Sequence, residues 1–147
     1  MASPPQPELK FAEITHQIIG AFFDVYNTLD PGFAESVYER ALVLELRSRG
    51  CTVSIQGGQS IRYGQTRLVD FRPDLLVEGN VLVEIKARSR LLKSHWAQLL
   101  YYLASSGMEV GLVVNFGRRA EFKRLILSRT TPHGANNRPR DDRSSSK

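Results

Sequence analysis

Cysteine is almost missing from this chain. Cys51 stands alone in 147 residues, which excludes an internal disulfide framework and a zinc site built on cysteines. It reads as a small apolar residue near a helix end. His16 and His95 stand at no ligand spacing to another His or Cys, and neither is assigned a metal. Long apolar runs are missing too. None approaches the roughly 18 residues that a membrane-spanning helix needs. The opening MASPPQPELK has no hydrophobic signal core, so the expectation is a soluble, cytoplasmic protein with no membrane partner. What is present is ordinary for a globular domain: 41% hydrophobic and 24% charged residues. A chain of this length buries a core without covalent staples. Net charge is +5, of which +2 falls in the segment 130–147, where Arg138, Arg140, Arg143 and Lys147 outnumber Asp141 and Asp142. The mild basic excess of the remainder suits a polyanionic partner without demonstrating one.

The periodicity divides the chain. Residues 1–7 are proline-rich and expected to be flexible, residues 8–129 form one domain, and 130–147 are expected to be a disordered basic tail. From Glu8 to Leu29 apolar residues recur at helical spacing: Ile14, Ile18, Phe22, Val25 and Leu29. After a turn at Leu29–Gly32 a second helix is expected from Phe33 to Arg49, with Val37, Ala41 and Leu44 on one stripe. Arg47 and Arg49 fall in its last turn, and Gly50 is placed to cap it. The period then drops to two. Cys51–Gln56 and Ser60–Tyr63 form a strand or strand pair broken at Gly57-Gly58. Arg67–Val77 and Val81–Ala87 are strands joined by Glu78-Gly79-Asn80. Ser94 is a candidate N-cap for a helix from His95 to Ser105; Glu109–Asn115 is a buried strand, and Phe122–Leu127 a final edge strand. The strand–helix–strand segment 81–115 requires at least one parallel pairing. The expected fold class is α/β in the mixed, α+β sense: one sheet packed on helices.

Parity turns the 67–87 hairpin into a geometric prediction. Val69, Phe71, Pro73, Leu75 and Val77 are odd and apolar, as are Val81, Val83, Ile85 and Ala87; Asp70, Arg72, Asp74, Leu76, Glu78, Leu82, Glu84 and Lys86 are even and make a mostly polar face. Antiparallel partners share a face, so partner numbers must sum to an even value. A three-residue loop at 78–80 pairs Val77 with Val81, Leu75 with Val83 and Asp74 with Glu84. A two-residue turn would bury the charges. Two carboxylates opposite one another destabilise a sheet unless something compensates. A hard divalent cation is the natural candidate, because it takes oxygen ligands. Lys86, two residues on and on the same face, is the other: it can bridge the two acids on a solvated surface.

Further residues bear on the choice. Glu35, in Gly32-Phe33-Ala34-Glu35-Ser36-Val37-Tyr38, shares a helix face with Tyr38 and Leu42. It either reaches a sheet-borne metal or complements the helix dipole. Gln98 and Tyr102 share a face four residues apart, as a site edge or a plain polar helix surface. Lys86, Arg88, Arg90 and Lys93 place four cations in eight residues, lining a groove for a phosphate backbone or forming an exposed basic loop.

The pattern Pro73-Asp74, nine residues, Glu84-Ile85-Lys86 resembles the PD-(D/E)XK nuclease superfamily. More narrowly, Gly32, Glu35 and Tyr38 resemble the motif of its GxxExxY family, and Gln98 with Tyr102 is similar to the QxxxY element of RecB-like exonuclease domains. The likeness runs from about Ile14 to Leu127. It implies a restriction-endonuclease-like αβββαβ core with an extra N-terminal helix, and a metal-dependent nuclease acting on DNA more readily than RNA, in repair or defence. By this resemblance Asp74 and Glu84 bind Mg²⁺ or Mn²⁺ with the Ile85 carbonyl as a further ligand, and Glu35 binds the metal or orients its water. Lys86 positions the attacking water and steadies the charged transition state; Tyr38, Arg88, Arg90, Lys93, Gln98 and Tyr102 contact substrate. A catalytically silent nucleic-acid-binding module, or an interaction subunit that retains the fold, is the alternative. A homodimer is expected by analogy, since small nucleases often use two sites to span a duplex.

Overall fold

The structure, a computed structural model, describes residues 11–56, 61–69 and 72–127. The segments expected to be a flexible N-terminus (1–7) and a basic tail (130–147) lie outside them, as do Gly57-Gly58, Asp70 and Phe71.

Two helices open the fold: α1 (Ala12–Thr28) and α2 (Glu35–Ser48). The stripe expected on α1 is buried at Ile18, Phe22 and Val25. On α2 the expected stripe is displaced. Val37 and Leu44 are exposed, while Tyr38, Leu42, Val43 and Leu46 are buried. The larger side chains at 38, 42 and 46, four apart, outcompete the smaller set for the core. The end of α2 follows the sequence. Gly50 takes φ +86, its N–H donates to the Arg47 carbonyl and the Cys51 N–H to that of Leu46, a Schellman arrangement that satisfies the last carbonyls. Arg49 ties this end to α1, hydrogen-bonding Gln17 and pairing with Asp24, and it also pairs with Glu45 of α2.

The main sheet holds β1 (Val53–Ile55), β4 (Leu75–Val77), β5 (Val81–Lys86), β6 (Val110–Phe116) and β7 (Ala120–Ile126), adjacent in that order. A separate hairpin, β2 (Ile61–Tyr63) with β3 (Thr66–Val69), lies between β1 and β4 in sequence. The expected strand 67–77 is therefore two strands in two sheets, divided before Pro73. Proline lacks the N–H that a continuous ladder would require. The expected parallel pairing is β5 with β6, connected through α3 (Lys93–Ser106). The helix cap differs from expectation: the N-cap is Leu92, and His95 Nδ1 accepts the Leu92 N–H at 2.8 Å. The mixed five-stranded sheet with helices is the restriction-endonuclease-like α+β fold. Its αβββαβ core is α2, β1, β4, β5, α3 and β6, preceded by α1.

The hairpin register is the predicted one. Val77 pairs with Val81 and Leu75 with Val83 across a three-residue loop at 78–80. Glu78 and Gly79 both take positive φ, and the Asn80 N–H closes the turn on the Val77 carbonyl at 3.0 Å. The odd residues of β4 and β5 face the larger core with α1, α2 and Val110, Leu112, Val114 and Phe116 of β6. The even face is less polar than parity alone suggests. Leu82 and Val113 lie there under Leu99 and Leu103 of α3 in a second core. No helix among the described residues is long and apolar enough to cross a membrane.

Candidate active site

Asp74 lies just before β4 and just past the last described ladder pair, Leu75 with Val83. Freed from the ladder, its side chain reaches across, and Oδ2 accepts the Ile85 N–H at 2.7 Å. This bond fixes Asp74 against the end of β5 that carries Glu84 and Lys86. Both of those point to the even face, beyond the second core. The expected ladder pairing of Asp74 with Glu84 does not form, yet the acids lie close enough that the charge of Asp74 acts on Glu84.

Glu84 is the unusual member. It is 6% exposed, and its Oε2 lies 3.4 Å from Lys86 Nζ. Its Oε1 is buried with no hydrogen-bond partner. Burial, and after it the neighbouring Asp74 carboxylate, raise its carboxyl to about 9, and Lys86 offsets only part of this. A buried acceptor without a partner costs about 1–3 kcal/mol, and more when charged. The residues thus lack one positive, oxygen-seeking partner at Oε1. A hard divalent cation fits that deficit: such ions commonly take one or two carboxylates and complete their shell with water and phosphate oxygens. Asp74 and Glu84, with the Ile85 main chain beside them, are the groups that would hold it. Among the described residues no group of three or more His, Cys, Asp or Glu side chains is arranged to hold a metal ion.

On α2, Glu39 feels the charge of Asp74, one turn beyond the expected Glu35. Glu35 is the exposed first residue of α2. One turn later Glu39 is half-buried, and its carboxyl is raised first by burial and then by the charge of Asp74, with Arg40 opposing and Glu35 adding a smaller push. The sequence did contain a signal, since Glu39 is four residues from Glu35 and so on the same face. Beside it a groove of about 410 Å³ is lined by Glu39, Arg40, Val43, Leu44, Arg47 and Ile55. A larger cavity, about 790 Å³, is lined by residues of α1, Arg49, Cys51, Glu78 and Asn80. It lies by the turn at the opposite end of β5, so size alone does not locate the chemistry.

Tyr38 requires correction. It is 2% exposed, stacks on Phe116 at 4.5 Å, donates to the Asp30 carbonyl at 2.7 Å and accepts the Phe33 N–H. A ring so enclosed holds the α2 entry in place and does not contact substrate. Gln98 is exposed and has no hydrogen bond to the acids, while Tyr102 packs on the smaller core. Arg88, Arg90 and Lys93 are exposed along the path from β5 into α3. The structure thus gathers Asp74, Glu84, Ile85 and Lys86, adds Glu39, and leaves Gln98 unattached to them.

Opposed acids and a lysine at the end of a mixed sheet's central strands define the class of site: a carboxylate–lysine centre suited to a divalent cation. The chain belongs to the PD-(D/E)XK nuclease superfamily, whose family model matches residues 12–125. This membership supports a nuclease-type function, a nucleic-acid partner and the use of divalent metal that is general in the superfamily. A comparison with curated proteins finds no match. Among solved structures the chain is similar to the crystal structure of SSO0001, at 18% identity and a TM-score of 0.45, over 62% of this chain and 50% of that one. It is similar to Archaeoglobus fulgidus Hjc, a Holliday junction resolvase, at 21% identity and a TM-score of 0.42, over 62% of this chain and 75% of that one. The chain thus spans half the length of the first of these.

Proposed function

We propose that this protein is a Mg²⁺- or Mn²⁺-dependent nuclease that hydrolyses phosphodiester bonds of DNA, in repair or defence within the cytoplasm. The observation that carries the reading is Glu84. An acid buried beside Asp74 and Lys86, with one oxygen unpartnered, is costly to the fold and useful to a cation site. Gly32, Glu35 and Tyr38 further support a place in the GxxExxY family, with Tyr38 serving the fold of the motif. A homodimer would let two such sites span a duplex.

When bound, the divalent cation supplies activation of water and neutralisation of phosphate charge. The protein's own groups do the rest. Asp74 is pinned by the Ile85 N–H through Oδ2, which leaves its other oxygen for the cation. Lys86 Nζ, held by Glu84 Oε2, is placed to orient the attacking water and to steady negative charge growing on the phosphate. Glu39, the α2 acid that feels the charge of Asp74, is assigned the part of orienting water at the edge of this group, with Glu35 as its outer neighbour.

The fact that no third carboxylate ligand is assembled among the described residues favours, as a second reading, a nucleic-acid-binding module that has kept the fold. One panel separates the two. Purified protein is incubated with single-stranded, duplex and branched DNA and with RNA, in Mg²⁺, Mn²⁺ or EDTA, alongside Glu84→Ala and Lys86→Ala. The nuclease reading expects cleavage that EDTA and each substitution abolish. Binding without cleavage in any arm supports the second reading. Cleavage that survives EDTA defeats the metal-dependent one.

A further inference from the structure

The turn between β6 and β7, residues 117–119, is built into the same end of the sheet as the acids. Lys86 pairs with Asn115 in the β5–β6 ladder. Asn115 is fully buried, and its side chain is spent on the main chain of Arg88. Oδ1 accepts the Arg88 N–H at 2.8 Å, and Nδ2 donates to the Arg88 carbonyl at 2.9 Å. Gly117 leaves room for that carbonyl: a Cβ there would lie 2.0 Å from the Arg88 oxygen. On the other side Tyr26 Oη hydrogen-bonds the carbonyls of Gly117 and Arg118, at 3.1 and 2.8 Å. Three residues after Arg88, the Leu91 N–H donates to Glu121 of β7 at 2.6 Å. The loop leaving β5 and the β6–β7 turn are therefore stapled to each other and to α1.

The staple carries two arginines on each side. Arg88 and Arg90 come from the loop, Arg118 and Arg119 from the turn, and all four are exposed. No acidic side chain among the described residues pairs with any of them. Glu121, the nearest acid in sequence to the turn, is occupied by the Leu91 N–H. Concentrating like charge on a surface costs repulsion, and here the main chain is braced by a buried amide so that it stays concentrated. Guanidinium groups present paired N–H donors suited to phosphate oxygens.

We infer that Arg118 and Arg119, fixed beside Arg88 and Arg90, form a phosphate-backbone platform that seats nucleic acid next to the Asp74–Glu84–Lys86 centre. The inference rests on the nuclease reading for its ligand class and adds two residues from an element outside every sequence motif. Only Arg88 and Arg90 are legible as candidates before the fold is known. Phosphate contacts there would position the nucleic acid and carry no base recognition.

The test is equilibrium binding of a fluorescein-labelled DNA duplex in EDTA, by anisotropy across a range of KCl concentrations. Removing one phosphate-binding cation lowers the slope of log affinity against log salt by about 0.9 for duplex DNA. Arg118→Ala/Arg119→Ala is expected to flatten the slope by about 2 and weaken binding most at low salt. Arg118→Lys/Arg119→Lys should recover most of it, since the point charge returns. Thermal melting of both variants confirms that the fold is intact. A double-alanine protein that is folded and binds with the parent's slope overturns the platform and leaves the nuclease reading standing. A parent protein with no salt-dependent binding also overturns the platform, while the nuclease reading is decided by the cleavage panel.

Discussion

Glu84 faces two demands that oppose each other: burial favours its proton, and a cation site needs its charge. With its carboxyl raised from 4.5 to about 9, the cation-free folded state holds that proton more tightly than the unfolded chain does. The linked stability is fully present below pH 4.5 and is lost as pH rises through about 9. Melting curves in EDTA should show the parent losing stability relative to Glu84→Gln across that window. Parallel curves would show that the carboxyl is not raised. Adding Mn²⁺ at the alkaline end should raise the parent's Tm and leave Glu84→Gln unmoved, because a ligand stabilises only the state that binds it. The second prediction at this scale separates the helix acids. Glu39→Ala should lower cleavage roughly 10–100-fold, the range for a group supporting metal ligands, and Glu35→Ala should lower it less. Alternation alone placed Asp74, Glu84 and Lys86 on one face, because parity is a rigid rule. It did not choose between Glu35 and Glu39, because helical spacing fixes a face but not how far along it the sheet end lies.

Tyr38 and the 117–119 turn show what elements add. Helical spacing put Tyr38 on the face of Glu35, yet the ring turns inward onto Phe116, 78 residues away in sequence, a partner that no local pattern announces. Tyr38→Phe should lose the hydroxyl's hydrogen bonds to Asp30 and Phe33, about 1 kcal/mol of stability, with cleavage per folded molecule unchanged. A fall in cleavage without a fall in Tm would restore Tyr38 to the substrate-binding set. Gly117→Ala drives a methyl group into the Arg88 carbonyl and should cost about 1–3 kcal/mol, the usual penalty of overpacking, measured by denaturant unfolding. The three-residue loop at 78–80 was legible because its alternative inverted every side chain of the hairpin. The division of the 67–77 strand into two sheets was less so. Pro73 marks the break, but its destination is set by which edge remains open beside β5.

At the scale of the molecule, a mixed sheet with a helix pair on one face and α3 on the other brings four chain segments to a single end. They are the start of α2, the approach to β4, the exit from β5 and the β6–β7 turn. The order of elements was readable from periodicity, and the family likeness supplied the same core. The second core under α3 was not readable, since Leu76 and Leu82 on a mostly polar face do not announce that Leu99 and Leu103 cover them. The burial of Glu84 on that face, with one oxygen unpartnered, is what turns a motif into a cation-seeking centre. The most direct measurement is a Mn²⁺ titration of labelled-duplex cleavage, run on the parent and on Glu84→Gln. The predicted result is saturable activation by Mn²⁺, abolished by EDTA and absent from the variant even though the variant folds and binds the duplex. Cleavage by Glu84→Gln at the parent's rate, or cleavage by the parent in EDTA, would contradict it.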